Sequence, residues 1–400
     1  MSGQMSEMRT AGSRAAVVLG LGVNGYGIVR SLARMGVPVE GVFTSATEFG
    51  RLSRYCRRSR LVRRDGGGNG LLSALLELAP GFAQPPVLFA TDDEHTLLLA
   101  RHRGELAGRY LFHWVPADQL ARIVSKPAMG DLCQEAGVLA PVTFHPQAGD
   151  DLTVAAAKFP FPCLIKPIRS FDTAFPHGMK NVVVDSPETL ERFYERHPGL
   201  VDTTIWQEIV PGGDDSIFQC TTLVGQSGAI GPVFCARKIH QYPPGYGVMC
   251  FGRSEENETV AGEALKLLRH LGYRGLASLE FKHQVRDGRY YFIEMNPRLP
   301  WYNALFTDAG VNLPYVAYRD LTDPDGPRPP AATQRDGVYW VSLKEDLGWL
   351  VRTRRQERRS GWRWARGLLG ARSFAWWAPR DPAPFTRAAL HLLRRALGRQ

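Results

Sequence analysis

The sequence predicts a mixed α/β and α+β chain: an N-terminal dinucleotide-type α/β domain, a two-lobed α+β module, and a basic helical C-terminal tail. Three observations predict it. A buried-strand run, a glycine-rich turn and a helical stretch open the ordered part of the chain. Two strands rich in aromatic and aliphatic residues meet at Arg286-Asp287-Gly288. Beyond the Pro/Gly-rich stretch 323–332, arginine is mixed with tryptophan. The expected divisions are a disordered 1–13, an α/β domain 14–120, lobes of about 121–205 and 206–322, a linker 323–335 and a tail 336–400.

In the first domain, 15–19 (Ala-Ala-Val-Val-Leu) reads as a buried strand, 28–35 as a helix and 37–43 as a second strand. Between them Gly20, Gly22 and Gly25 have the G-x-G-x-x-G spacing of a dinucleotide fold. A nicotinamide site also wants an acid at the end of the second strand, and that end is Thr44-Ser45, with Glu40 inside the strand and Glu48 beyond it. Nicotinamide binding is therefore disfavoured while the fold expectation stands. A further strand, 87–90, runs into Thr91-Asp92-Asp93-Glu94, at the sheet edge where ligands bind; capping of the next helix by Thr91 or Asp92 is the plainer role.

In the middle, Lys126 opens a helix over 127–136 that ends at Gly137, with Pro141 beyond. Residues 161–166 form an apolar strand ending in Lys166, and 181–184 another. Trp206-Gln-Glu208-Ile209-Val210 followed by Pro-Gly-Gly-Asp214-Asp215 reads as a strand and a turn. Strands 216–224 and 229–239 are joined at Gly225–Gly228, and the second ends in Arg237-Lys238 before the loop 242–248. A basic pair ahead of a Pro/Gly-rich loop suggests a mobile lid carrying cations; an exposed hairpin end is the alternative. An amphipathic helix, 255–271, leads to the hairpin.

Register decides what that hairpin can do. If the loop is the three residues 286–288, Val285 faces Arg289 and Glu280 comes opposite or diagonal to Glu294. Ser278, Glu280, Lys282, Gln284, Phe292, Glu294, Asn296 and Arg298 then share one face, and Leu279, Phe281, Val285, Tyr291, Ile293 and Met295 the core face. Facing carboxylates repel, so something must hold them, with Lys282 one candidate. Glu280, Glu294 and the amide oxygen of Asn296 form an all-oxygen set suited to a hard cation such as Mg2+. The plainer reading is a solvated polar face.

Composition bounds the rest. The 400 residues, 44% hydrophobic and 22% charged, are ordinary for a water-soluble protein of two or three domains. The six cysteines lack zinc-site spacing and several sit in apolar runs, as reduced thiols of a cytosolic protein would. The start carries no secretion pattern and no run reaches membrane-span length, so a cytoplasmic chain is expected. Net charge is +10, concentrated in Arg51, Arg54, Arg57, Arg58, Arg60, Arg63 and Arg64 and in the tail. No nucleic-acid motif accompanies it, so nucleic acid ranks low as a partner. The Arg/Trp-rich tail is a candidate for peripheral membrane contact or an acidic partner. The favoured reading is a helix that packs its tryptophans on the body. A homodimer is compatible with the sequence.

Glu294-Met-Asn-Pro-Arg298 after an apolar strand, with Glu280 on the strand before, resembles the metal-binding signature of the ATP-grasp ligases, closest to the Glu-x-Asn-x-Arg form of carbamoyl-phosphate synthetase and biotin carboxylase. Ala304-Leu305 and Ala309-Gly310 resemble the same neighbourhood, and the likeness runs from about 14 to 320. The resemblance implies a pre-ATP-grasp Rossmann-like domain ahead of the ATP-grasp module, with ATP and Mg2+ or Mn2+ as cofactors. It assigns phosphate neutralisation to Lys126 and Lys166, the adenine contact to Glu208, Ile209 and Val210, and the ribose to Asp214 or Asp215, of which Asp215 is taken here. Glu280, Glu294 and Asn296 become the metal ligands. Arg298 stabilises the acyl phosphate, with Arg237 and Lys238 over the transferring phosphoryl group. Gly22, Asn24 and Asp92 are substrate-side candidates. The family's glycine-rich flap is replaced by 168–180, with a single glycine, where Arg169, Ser170 and Lys180 would act through side chains. Ser278 stands where D-alanine-type ligases carry arginine, so dipeptide formation is not carried over.

The implied activity is ATP-dependent joining of a small-molecule carboxylate, for instance an amino acid, to an amine, with bicarbonate activation open within the superfamily. The alternatives are a non-catalytic nucleotide-binding scaffold and, third, a nicotinamide oxidoreductase.

Overall fold

The computed structural model describes residues 14–63, 68–169, 181–326, 333–353 and 368–396. The expected disordered 1–13, Arg64, Ser170 and Lys180 lie outside the described residues, as does the stretch 354–367 with its two tryptophans.

Strands β1 (Ala16–Leu19), β2 (Val39–Phe43), β3 (Cys56–Leu61) and β4 (Val87–Ala90) form a parallel sheet in the order β3-β2-β1-β4. Every residue of β1 is buried, as expected of a central parallel strand covered on both faces. The helix Val23–Ala33 follows the glycine turn. Gly20 has φ +81, and a Cβ at Gly25 would lie 1.9 Å from the Gly20 carbonyl oxygen. A Cβ at Gly27 would lie 2.3 Å from Asn303 Oδ1, in a distant part of the chain. These glycines serve a turn and close packing. Glu48 ties the glycine turn to the end of β2, accepting from the backbone N–H of Leu21 at 2.5 Å, Thr44 at 2.8 Å and Ser45 at 2.9 Å.

A small sheet of β5 (Thr143–Phe144), β6 (Cys163–Pro167), β7 (Val182–Val184) and β8 (Thr204–Glu208) has the order β5-β8-β6-β7. The larger sheet comprises β9 (Ile217–Val224), β10 (Phe234–Tyr242), β11 (Val248–Ser254), β12 (Gly275–Gln284), β13 (Arg289–Asn296), β14 (Tyr339–Val341) and β15 (Ala371–Phe374). Its order is β13-β12-β9-β10-β11-β14-β15. Strand β11 was not expected; it pairs antiparallel with β10 across the loop that had been read as a lid.

The β12–β13 hairpin reaches the expected facing of Glu280 and Glu294 by a different route. The strands end at Gln284 and resume at Arg289, so the loop has four residues, not three, and Val285 is 73% exposed instead of core-facing. A bulge at Ile293 restores the register: Gln284 pairs with Arg289 and Phe281 with Phe292, but beyond the bulge Glu280 pairs with Glu294 and Ser278 with Asn296. The extra residue inverts the alternation. Phe292, expected on the polar face, is buried 5.8 Å from the Phe281 ring, while Ile293 turns to the cavity.

The tail is not a separate appendage. Strands β14 and β15 extend the larger sheet past β11. One apolar core contains Val18 and Ile28 of the first domain, Leu305 and Phe306 after β13, and Trp340 and Ala375 of the tail. Gln334, in the expected linker, is buried and accepts a 2.7 Å bond from the Cys235 backbone N–H. Trp376 stacks on Tyr26 at 5.9 Å, so this tryptophan is turned into the body. Among the described residues no helix is long and apolar enough to cross a membrane.

Candidate active site

A cavity of about 760 Å3 lies between the small sheet, the larger sheet and the edge of the first domain. Its walls include Lys126 and Lys166, the segment Glu208, Ile209 and Val210, and Lys238, Glu280, Glu294, Asn296 and Arg298. Asn24 and Asp92 line the end formed by the first domain.

The small lobe supplies the two lysines. Lys126 begins the helix Lys126–Ala136, closed by Gly137 in the left-handed region at φ +65. Its Nζ donates to the Pro167 carbonyl at 2.8 Å, which ties the helix to the end of β6. Lys166, the fourth residue of β6, donates to Gln207 Oε1 at 2.6 Å. Burial pushes its pKa down to about 8, against the opposing pull of Glu294 and Glu280 across the cavity. Glu208 ends β8 and accepts from the Val142 backbone N–H at 3.1 Å.

The larger sheet supplies the carboxylates. Lys238 holds Glu280, its Nζ 3.1 Å from Oε2, with both side chains over 90% buried. Gln219, paired with Glu280 on the neighbouring strand, donates to the same carboxylate at 2.6 Å. Lys282, the holder considered from sequence, lies two pairs further along; burial lowers its pKa while Asp214 and Glu280 oppose. Asn296 Nδ2 lies 3.3 Å from Glu294 Oε1, and its Oδ1 accepts from Arg298 at 3.0 Å. Glu280, Glu294 and Asn296 thus offer an all-oxygen donor set that suits a hard divalent cation. Gln219 Oε1 beside them is buried with no hydrogen-bond partner among the described residues. Orphaned polar atoms on a cavity wall are places for a ligand to satisfy.

Several expected residues lie elsewhere. Arg237 precedes Lys238 on a strand and therefore faces the other way; it bonds the Asp215 carbonyl at 2.7 Å and lies 3.5 Å from Glu255, away from the cavity. Asp215 is correspondingly an exposed partner of Arg237, not a wall residue. Gly22 is the residue before the helix Val23–Ala33 and does not line the cavity. Asn24 does, but its amide is used structurally: it donates to the carbonyls of Thr91 at 2.7 Å and Leu299 at 2.8 Å. Asp92 caps the helix Asp93–Arg101 through the His95 N–H at 2.7 Å.

Sequence reasoning missed Asp93, which accepts from Arg298 Nε at 2.9 Å and whose pKa burial raises, with Arg298 opposing. Its place in the Asp-Asp-Glu run was the available signal. Gln207, Gln219, Gln241 and Trp301 also line the cavity, and nothing local in the sequence marks them.

Residues 252–319, which include the metal-type carboxylates and Arg298, match the family described as Carbamoyl-phosphate synthase L chain, ATP binding domain. D-aspartate ligase of Enterococcus faecium (strain Aus0004) is 22% identical over 273 residues, 60% of this chain, and the chain spans 64% of that relative's length. L-amino acid ligase from Bacillus licheniformis superposes with TM-score 0.60 at 16% identity, over 82% of this chain and 79% of its own. Biotin carboxylase from Campylobacter jejuni, in an ATP-analogue complex, gives TM-score 0.62 at 15% identity, over 81% and 74%. The chain has the mixed α/β fold of the ATP-grasp structures.

Proposed function

We propose that this chain is an ATP-dependent carboxylate–amine ligase acting through an acyl phosphate. The observation that carries the reading is the single cavity with Lys126 and Lys166 on the small-lobe wall and Glu280, Glu294, Asn296 and Arg298 on the other. Cations on one wall suit the phosphates of a nucleotide, and facing carboxylates suit the divalent ion that accompanies them. The relatives named D-aspartate ligase and L-amino acid ligase support an amino acid as one substrate. In this reading residues 14–120 shape the acceptor end and 121–322 hold the nucleotide.

Glu208 and the backbone of Ile209 and Val210 meet the adenine, and Lys126 and Lys166 the phosphates. Glu280, Glu294 and Asn296 would hold Mg2+, which offsets charge on the phosphates. A substrate carboxylate oxygen attacks the γ-phosphorus and the bond to the β-phosphate oxygen breaks, leaving ADP and an acyl phosphate. The amine then attacks the carbonyl carbon, phosphate departs, the nitrogen loses its proton to solvent, and an amide remains. In this reading Arg298, held by Asp93 and Asn296, stabilises the acyl phosphate and the tetrahedral oxyanion of the second step. Lys238 holds the Glu280 carboxylate in place. No side-chain nucleophile is required.

A panel of acids and amines monitored for ADP release tests this, with Glu294→Gln as control. ADP release that needs both substrates and is lost in the variant is expected. Equal release by both proteins would overturn the assignment. NADH, tested beside ATP–Mg2+ by thermal shift, is expected to leave the melting temperature unchanged, because β2 runs into Thr44-Ser45 with no acid there for the ribose hydroxyls.

A further inference from the structure

The helix Leu343–Thr353 lies in the stretch read from sequence as a tail, yet it packs against β10 and β11 behind the loop 243–247. Residues 245–247 of that loop line the cavity. The helix lies flush against the start of the loop: a Cβ on Gly348 would be 2.6 Å from the Tyr242 ring. The next residue, Trp349, is 8% exposed and stacks on His240 with ring centroids 3.5 Å apart and planes 12° from parallel. His240 Nδ1 is in turn 2.8 Å from the fully buried Asp346 of the same helix.

With its ring fixed, Trp349 aims Nε1 at Asp214 Oδ2, 3.2 Å away. Asp214 also accepts from the Gly245 N–H at 3.0 Å, the Gln241 side chain at 2.8 Å and the Gln241 N–H at 3.3 Å. Gln241 Oε1 receives Lys238 Nζ at 3.3 Å, and Lys238 holds Glu280. Irregular pairing between Lys238 and Gln241 makes this possible, because it lets Lys238 and Gln241 both line the cavity while His240 meets the helix.

We propose that Trp349 is a positioning residue for the nucleotide site. Through Asp214 it fixes the loop that walls the cavity, and through Gln241 it fixes the lysine that holds the metal-type carboxylate. The proposal rests on the nucleotide reading above. A hydrogen bond to a carboxylate is among the stronger kinds, and without it Oδ2 keeps, among the described residues, its longest bond, to the Gln241 N–H.

The test is Trp349→Phe, which keeps an aromatic ring over His240 while removing the indole N–H and its five-membered ring. Binding of ATP–Mg2+ to the full chain is measured by calorimetry, beside thermal unfolding. Expected is a rise in Kd of about tenfold, the size of one charge-assisted bond, with the melting temperature within about 2 °C of wild type. Asp214→Asn should weaken binding too, and adding Trp349→Phe to it should cost little more, since both act through one carboxylate. Wild-type affinity in Trp349→Phe, or additive losses in the double variant, would overturn the proposal while leaving the ligase reading intact. A wild-type chain that binds no ATP–Mg2+ at all would overturn that reading and the proposal with it. Lower thermal stability without loss of affinity would mark Trp349 as a packing residue only.

Discussion

Arg298 and Asp93 join the two halves of the protein at the cavity: the guanidinium two residues past β13 donates from Nε to Oδ1 of the first residue of the helix Asp93–Arg101, at 2.9 Å. Both side chains are less than one-fifth exposed. The same guanidinium reaches Asn296 Oδ1 and the Leu299 carbonyl, so three acceptors set its plane. Asp93 thus aims a group contributed by another domain.

Replacing Asp93 should therefore damage chemistry more than nucleotide binding. In Asp93→Asn the charge that fixes Arg298 is lost, and kcat for ADP release is expected to fall about tenfold to a hundredfold, the effect of small misplacement of a reacting group. The Kd for ATP–Mg2+ should stay within about twofold, because the lysines are untouched. Single-turnover kinetics beside calorimetry separates the two. A Kd change that matched the kcat change would assign Asp93 to the nucleotide instead.

Lys238 and Glu280 make a buried pair, and a buried charge deprived of its partner is costly. Glu280→Ala is expected to lose about 3–5 kcal/mol of unfolding free energy. Lys238→Met on that background should recover much of it without recovering activity, since the bare ammonium is gone but the carboxylate is not restored. Urea denaturation of the two variants checks this. Equal stability of the single and double variants would mean that solvent reaches the ammonium.

Lys166 makes affinity and stability depend on alkaline pH. Its folded pKa, near 8, lies below the 10.5 of an unperturbed lysine. Between these values the unfolded chain holds a proton that the folded one has lost, so this residue makes the protein more stable as pH rises through that window. Nucleotide phosphates favour the charged form and draw the proton back. ATP–Mg2+ binding above about pH 8 should then take up a proton and weaken with rising pH. Calorimetry in buffers of different ionisation enthalpy measures the uptake, and Lys166→Arg should abolish it.

Most of the site was legible because its residues sit on short elements of regular period. Glu280 lies mid-way along one apolar strand and Glu294 near the end of the next, and the strand pair places them face to face. Lys126 opens a proline-started helix and Lys166 lies at the end of an apolar strand, patterns that local propensity alone specifies. Arg237 and Asp215 were assigned to the site against the same period-two rule that would have excluded Arg237, since Lys238 and its neighbour cannot both face one cavity.

What the sequence by itself determined was the order of elements, the glycine-turn domain and the carboxylates on the hairpin, all set by interactions between near neighbours. Only the tertiary structure decided which residues meet across the cavity. The bulge at Ile293 turns the strand face, Glu48 ties the glycine turn to the end of β2, Asp93 captures Arg298, and Trp349 reaches Asp214 from the far end of the chain. Each contact joins segments distant in sequence or depends on one extra residue in a ladder. Local periodicity carries no record of either, because burial and hydrogen-bond satisfaction are settled by the whole packed chain.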